Sequence, residues 1–102
     1  MLKQTASSTE RGALYGAVLA LETEKECEAF FADLCTPPEL EAMAGRWRVA
    51  RLLDQGLPYR EISKKTGIST ATVTRVARCL TYGRDGGYRR LLDRAAGGAR
   101  GR

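Results

Sequence analysis

The chain contains no histidine. That removes the commonest general base near neutral pH, together with any Cys-His or Ser-His nucleophile pair. Cysteine is scarce too: Cys27, Cys35 and Cys79 are odd in number, and no two form a CxxC pair. Without histidines or paired cysteines there is no ligand set for zinc, so no metal site is expected. Each thiol lies in or beside an apolar helix face, where it packs as a small hydrophobe. No apolar run approaches the roughly 20 residues that span a bilayer. The opening MLKQTASSTERGAL lacks the apolar centre of a signal peptide. With no glycine-rich phosphate cradle either, the chain is expected to be a cytoplasmic protein without catalytic residues, not an enzyme, and without a membrane partner.

What is present suits one soluble domain: 102 residues, 43% hydrophobic and 28% charged. The net charge of +5 conceals a division. Residues 1–44 carry three cations against eight acids, and residues 45–102 carry fourteen cations against four. An acidic first half and a basic second half fit a chain that meets polyanion with one part and protein or water with the other. Charge alone does not choose among DNA, RNA and anionic lipid.

The pattern is helical throughout, with no strand alternation, so an all-α fold of about six short helices is expected. Residues 1–7 read as a flexible N-terminus, and Ser7-Ser8-Thr9-Glu10 has the form of a capping box. Leu14, Ala17, Val18 and Leu21 then form an apolar stripe. Thr23 to Glu26 repeats the cap signature, and Cys27, Phe30, Phe31 and Leu34 form a second stripe at i, i+3, i+4 and i+7. Thr36-Pro37-Pro38-Glu39 is a third start, with proline where its missing amide costs nothing. The helix that follows runs through Leu40, Met43, Trp47, Ala50 and Leu53, either unbroken or as two helices meeting near Ala44-Gly45. A last short helix holds Tyr88, Leu91 and Leu92, and residues 95–102 read as a disordered basic tail.

Residues 58–80, PYREISKKTGISTATVTRVARCL, read as a helix-turn-helix. Tyr59, Ile62 and Thr66 recur at helical spacing, Gly67 supplies the break, and Ser69 is placed to cap the next helix. Small Ser63, Gly67, apolar Ile68, Val73 and Val76 occupy the five positions that the motif constrains sterically. Thr66 departs mildly, because an apolar residue is usual there. In the second helix Val73, Val76, Ala77 and Leu80 share one side, and Ala71, Thr74, Arg75 and Arg78 the other. The second side offers what a major groove accepts: arginine forks for guanine, threonine hydroxyls, and methyl groups for thymine. The candidate DNA-binding residues are Arg60, Lys64, Lys65, Ser69, Thr70, Ala71, Thr72, Thr74, Arg75 and Arg78, with Arg60, Lys64 and Lys65 placed for phosphates.

The order of elements resembles the Trp repressor superfamily, and in particular its TrpR-like YerC/YecD branch. The likeness is carried by LYGAVLALETEKECEAFFADLCTPPEL, AGRWRVARLLDQG, YREISKKTGISTATVTRVARCL and YGRDGGYRRLLDR, which together cover most of residues 14–94. The resemblance implies a single domain over residues 8–94, built as an intertwined homodimer that sets two recognition helices on a pseudo-palindromic operator. It also implies a ligand pocket for tryptophan, whose matching positions here are Thr36, Arg46 and Arg75. Two further positions of that pocket differ, a glycine and a serine being Val76 and Cys79 in this chain. A valine is expected to crowd the cavity and the lost hydroxyl to remove a polar contact. No cofactor is therefore expected, tryptophan is disfavoured as a corepressor, and any small-molecule effector is unassigned. The leading expectation is a homodimeric, sequence-specific regulator of transcription on double-stranded DNA, most simply a repressor. The alternative is a helical dimeric protein-interaction module with only weak, nonspecific nucleic-acid binding.

Overall fold

The computed structural model describes residues 9–100, and side chains as far as Ala96. Six helices follow one another: α1 (Glu10–Ala20), α2 (Glu24–Leu34), α3 (Pro37–Asp54), α4 (Tyr59–Thr66), α5 (Thr70–Tyr82) and α6 (Gly87–Arg100). Among the described residues there is no strand. The fold is all-α, as the sequence indicates. No helix among the described residues is long and apolar enough to cross a membrane.

Side-chain caps set the early boundaries. The first start falls two residues later than expected, because Thr9 and not Ser7 is the cap: the Gly12 amide donates to Thr9 Oγ1 at 2.9 Å. At α2 the Glu26 amide donates to Thr23 Oγ1 at 3.1 Å, and Glu26 Oε1 accepts from the Glu22 amide at 2.8 Å. At α3 the box is reciprocal: the Thr36 amide donates to Glu39 Oε1 at 2.8 Å, and the Glu39 amide to Thr36 Oγ1 at 3.3 Å. Each such cap satisfies amides that the first turn leaves without partners, and is worth about 1 kcal/mol.

The chain divides between Leu40 and Glu41 into two compact units. In the first, neither α1 nor α2 buries a single residue. Leu14, Val18 and Leu34 stay exposed, Leu19 is 84% exposed, and Phe30 and Phe31 meet edge-on with centroids 5.5 Å apart. The apolar stripes expected from the spacing are present, and their residues are half-buried or exposed, none fully buried.

The second unit has a core. Val49 and Ala50 from α3, Ile62 from α4, Val73 and Val76 from α5 and Leu92 from α6 form one buried cluster. Each Val or Ile removed from water there contributes about 1.5–3 kcal/mol. Around it pack Trp47, Leu53, Leu57, Ile68, Leu80 and Tyr88. Tyr59 leaves the expected stripe and is 48% exposed, since it is the first residue of α4 and lies at the edge of the packed face.

Helix α3 is unbroken across Gly45. The glycine serves a close approach: a Cβ there would stand 3.0 Å from Ile68 Cδ1 in the helix-turn-helix turn. The last helix also differs from expectation. α6 runs to Arg100, through residues 95–100 that read as part of a tail. The expected N-terminal flexible stretch, residues 1–7, lies outside the described residues, as do residues 101–102.

Candidate nucleic-acid interface

The interface is built on the turn between α4 and α5. α4 ends at Gly67, whose φ of 78° is left-handed, and the Gly67 amide donates to the Ser63 carbonyl at 2.8 Å. Glycine adopts this conformation without the Cβ clash that other residues suffer. Two residues on, Ser69 caps α5: the Thr72 amide donates to Ser69 Oγ at 3.2 Å, and the Ser69 hydroxyl donates to Thr72 Oγ1 at 3.2 Å. No acid occupies the first turn of α5. Its positive dipole end is therefore free to meet an anion.

The two faces of α5 separate as the spacing requires. Val73, Val76 and Ala77 are buried. Ala71, Thr74, Arg75 and Arg78 are exposed, with Ser69 and Thr70 exposed at the start and Thr72 half-buried. On the outer face lies an open groove of roughly 700 Å³ lined chiefly by Ala71, Thr74, Arg75, Arg78, Cys79 and Tyr82. Four of these six are expected DNA-binding residues. Tyr82, 82% exposed, was not among them; its i+4 spacing from Arg78 was the available signal. On α4, Arg60, Lys64 and Lys65 are all exposed, with Lys64 and Lys65 in its last turn.

Val76 does not line this groove. It is 1% exposed and packed in the core with Val73. The reason is angular: Val76 follows Val73 by three residues on the inward side, while Cys79 follows Arg75 by four on the outward one. Of the other pocket positions, Thr36 is the cap of α3 in the first unit, and Arg46 is half-buried on α3 in the second. Among the described residues no group of three or more His, Cys, Asp or Glu side chains could hold a metal ion.

A second set of contacts, unread in the sequence, holds α6 in place. Arg89 Nη2 reaches Asp54 Oδ1 at 2.6 Å and Arg89 Nη1 reaches Asp93 Oδ1 at 3.2 Å. Trp47 and Tyr88 stack with centroids 6.3 Å apart and planes 18° from parallel. The Arg89–Asp93 pair could have been found from its i, i+4 spacing. The Asp54 contact spans 35 residues, and no local pattern announces it.

A helix-turn-helix whose second helix has a cationic, acid-free outer face defines the class: an all-α DNA-binding protein of the regulator type. The Trp repressor protein family model matches residues 10–96. This chain belongs to that family, which is one of DNA-binding regulators. It is 48% identical over 81 residues to the uncharacterised protein YerC of Bacillus subtilis (strain 168), covering 79% of this chain and 77% of that one. Its fold is similar to the crystal structure of a TrpR-like protein from Eubacterium eligens ATCC 27750, with a TM-score of 0.79 at 40% identity over 86% of this chain and 91% of that one. A crystal structure from Staphylococcus aureus matches with a TM-score of 0.80 at 39% identity, over 93% of this chain and 94% of the other.

Proposed function

We propose that this protein is a cytoplasmic, homodimeric, sequence-specific regulator of transcription, acting as a repressor by occupying a pseudo-palindromic operator. The observation that carries the reading is the division of α5. Val73, Val76 and Ala77 fix one side in the core, which leaves Ala71, Thr74, Arg75 and Arg78 facing outward with no acid in the first turn. Arg75 and Arg78 supply guanine-reading forks, Thr74 a hydroxyl, and Ala71 and Thr70 methyl contact with thymine. Arg60, Lys64 and Lys65 neutralise phosphates and set register. Ser69 contributes through the cap, since its hydroxyl is already engaged with Thr72.

Dimerisation is proposed through α1 and α2, whose stripes, with Leu14 and Val18 exposed and Phe30 and Phe31 half-buried, include no buried residue. Two-fold symmetry then places half-sites about one DNA turn apart. No corepressor is required in this reading. Beside Arg75 the groove presents the Cys79 thiol, a weak acceptor for an α-amino group, which disfavours tryptophan at Thr36, Arg46 and Arg75.

Enrichment of random duplex DNA by the purified protein tests the proposal. One pseudo-palindrome should emerge, the same with and without L-tryptophan. Binding without enrichment of any sequence would instead support the interaction-module reading.

A further inference from the structure

Ile68, between the two helices of the motif, is gripped at three points. Its amide donates to Thr66 Oγ1 at 3.1 Å. Its carbonyl accepts from the Ser63 hydroxyl at 2.6 Å. Its side chain packs against the core, with Cδ1 at the close approach to Gly45 of α3. Thr66 is fixed in turn, because its hydroxyl donates to the Ile62 carbonyl at 2.7 Å. Both polar groups of the Ile68 backbone are thus tied to side chains of α4. Threonine at position 66, where an apolar residue is usual in this motif, gains a specific task from this arrangement.

The joint matters because α5 begins immediately beyond it. Ser69 is extended, with φ −61° and ψ 151°, and Thr70 is the first helical residue. At about 1.5 Å per residue, Arg75 lies ~9 Å along the axis from Ser69, so a tilt of ~10° displaces it by ~1.5 Å. Direct base readout does not survive that, since hydrogen-bond lengths tolerate only about 0.5 Å. Phosphate attraction does survive it: Lys64 and Lys65 sit on α4, on the near side of the joint, and a point charge needs no fixed angle.

We propose that Ser63 and Thr66 are positioning residues for sequence recognition, which hold α5 at its reading angle through the Ile68 backbone without touching DNA themselves. The inference rests on the DNA-binding function proposed above. It predicts a split that simple loss of stability does not produce: specific affinity falls while nonspecific affinity stays.

The test begins with the duplex that the wild-type protein enriches from a random pool, and with a scrambled duplex of the same composition. Thr66→Val removes the hydroxyl at nearly constant volume, and Thr66→Ser restores it. Thr66→Val is expected to lose about tenfold or more in affinity for the enriched duplex. Its affinity for the scrambled duplex should stay within about twofold, and Thr66→Ser should return to the wild-type ratio. Ser63→Ala is the second variant, expected to show the same split, and it decides the matter if Thr66→Val does not fold. Equal loss on both duplexes, or none on either, overturns the positioning role while leaving the DNA-binding function standing. If the wild-type protein enriches no duplex, both fall together.

Discussion

Arg89 bridges two acids from different helices, Asp54 at the end of α3 and Asp93 one turn along α6, at 2.6 and 3.2 Å. The guanidinium therefore joins the last helix to the long one at the end where the chain turns into the helix-turn-helix. Because Arg89 is 42% exposed at its side chain, the pairing is screened by solvent, and its contribution is of the order of a surface pair, about 0.2–1 kcal/mol. Arg89→Gln is expected to lower the thermal midpoint by a few degrees, roughly 4–8 °C per kcal/mol for a domain of this size. The difference should shrink in high salt, which a pair of melting curves at two ionic strengths checks.

Gly67→Ala places a Cβ at a φ of 78°. Left-handed backbone costs a non-glycine residue roughly 1–2 kcal/mol. No neighbouring atom lies within 4 Å of the added carbon, so conformational strain is the whole expected effect. Denaturant unfolding should show a lower midpoint with an unchanged slope. An unaffected midpoint would mean that the turn relaxes into another conformation.

Ile62 is fully buried and ties α4 to the core of the second unit. Ile62→Ala should destabilise by about 2–5 kcal/mol, lost packing and a residual cavity both contributing. Tyr59→Ala, at the exposed start of the same helix, should cost far less. Comparable costs for the two would contradict the described core.

Much of this architecture is legible in the residues, and the reasons are local. Thr23, Thr36 and Ser69 announce helix starts because capping acts within four residues. Gly67 announces the turn because few other residues accept its backbone. The inward and outward sides of α5 follow from a period of 3.6 residues acting on Val73, Val76 and Ala77. What the residues leave open is set by distance. Gly45 leaves α3 either broken or continuous until Ile68, 23 positions away, is found against it. The Ser63 and Thr66 hydroxyl bonds to Ile68 are local too, but serine and threonine in a helix give no sign of which backbone group they will bind.

The apolar stripes of α1 and α2, which include no buried residue, carry a prediction about assembly. Wild-type protein should sediment as a dimer, and Val18→Glu combined with Phe30→Glu should shift it to monomer by placing charge in an apolar interface. A monomeric wild type at micromolar concentration would remove the proposed two-fold arrangement.

Phosphate contacts carry another. Lys64→Ala and Lys65→Ala should each reduce the slope of log affinity against log salt by about one, uniformly across sequences. A change in sequence preference on either substitution would assign these lysines to base reading instead.

The most direct measurement is to repeat the random-duplex selection with Arg75→Ala. If the outer face of α5 reads bases, the variant should still fold and bind. Its enriched motif should match that of the wild type except for lost preference at one symmetry-related pair of positions, a discrimination of about 1–3 kcal/mol. An identical motif from both proteins would show that the bases are read by some other surface.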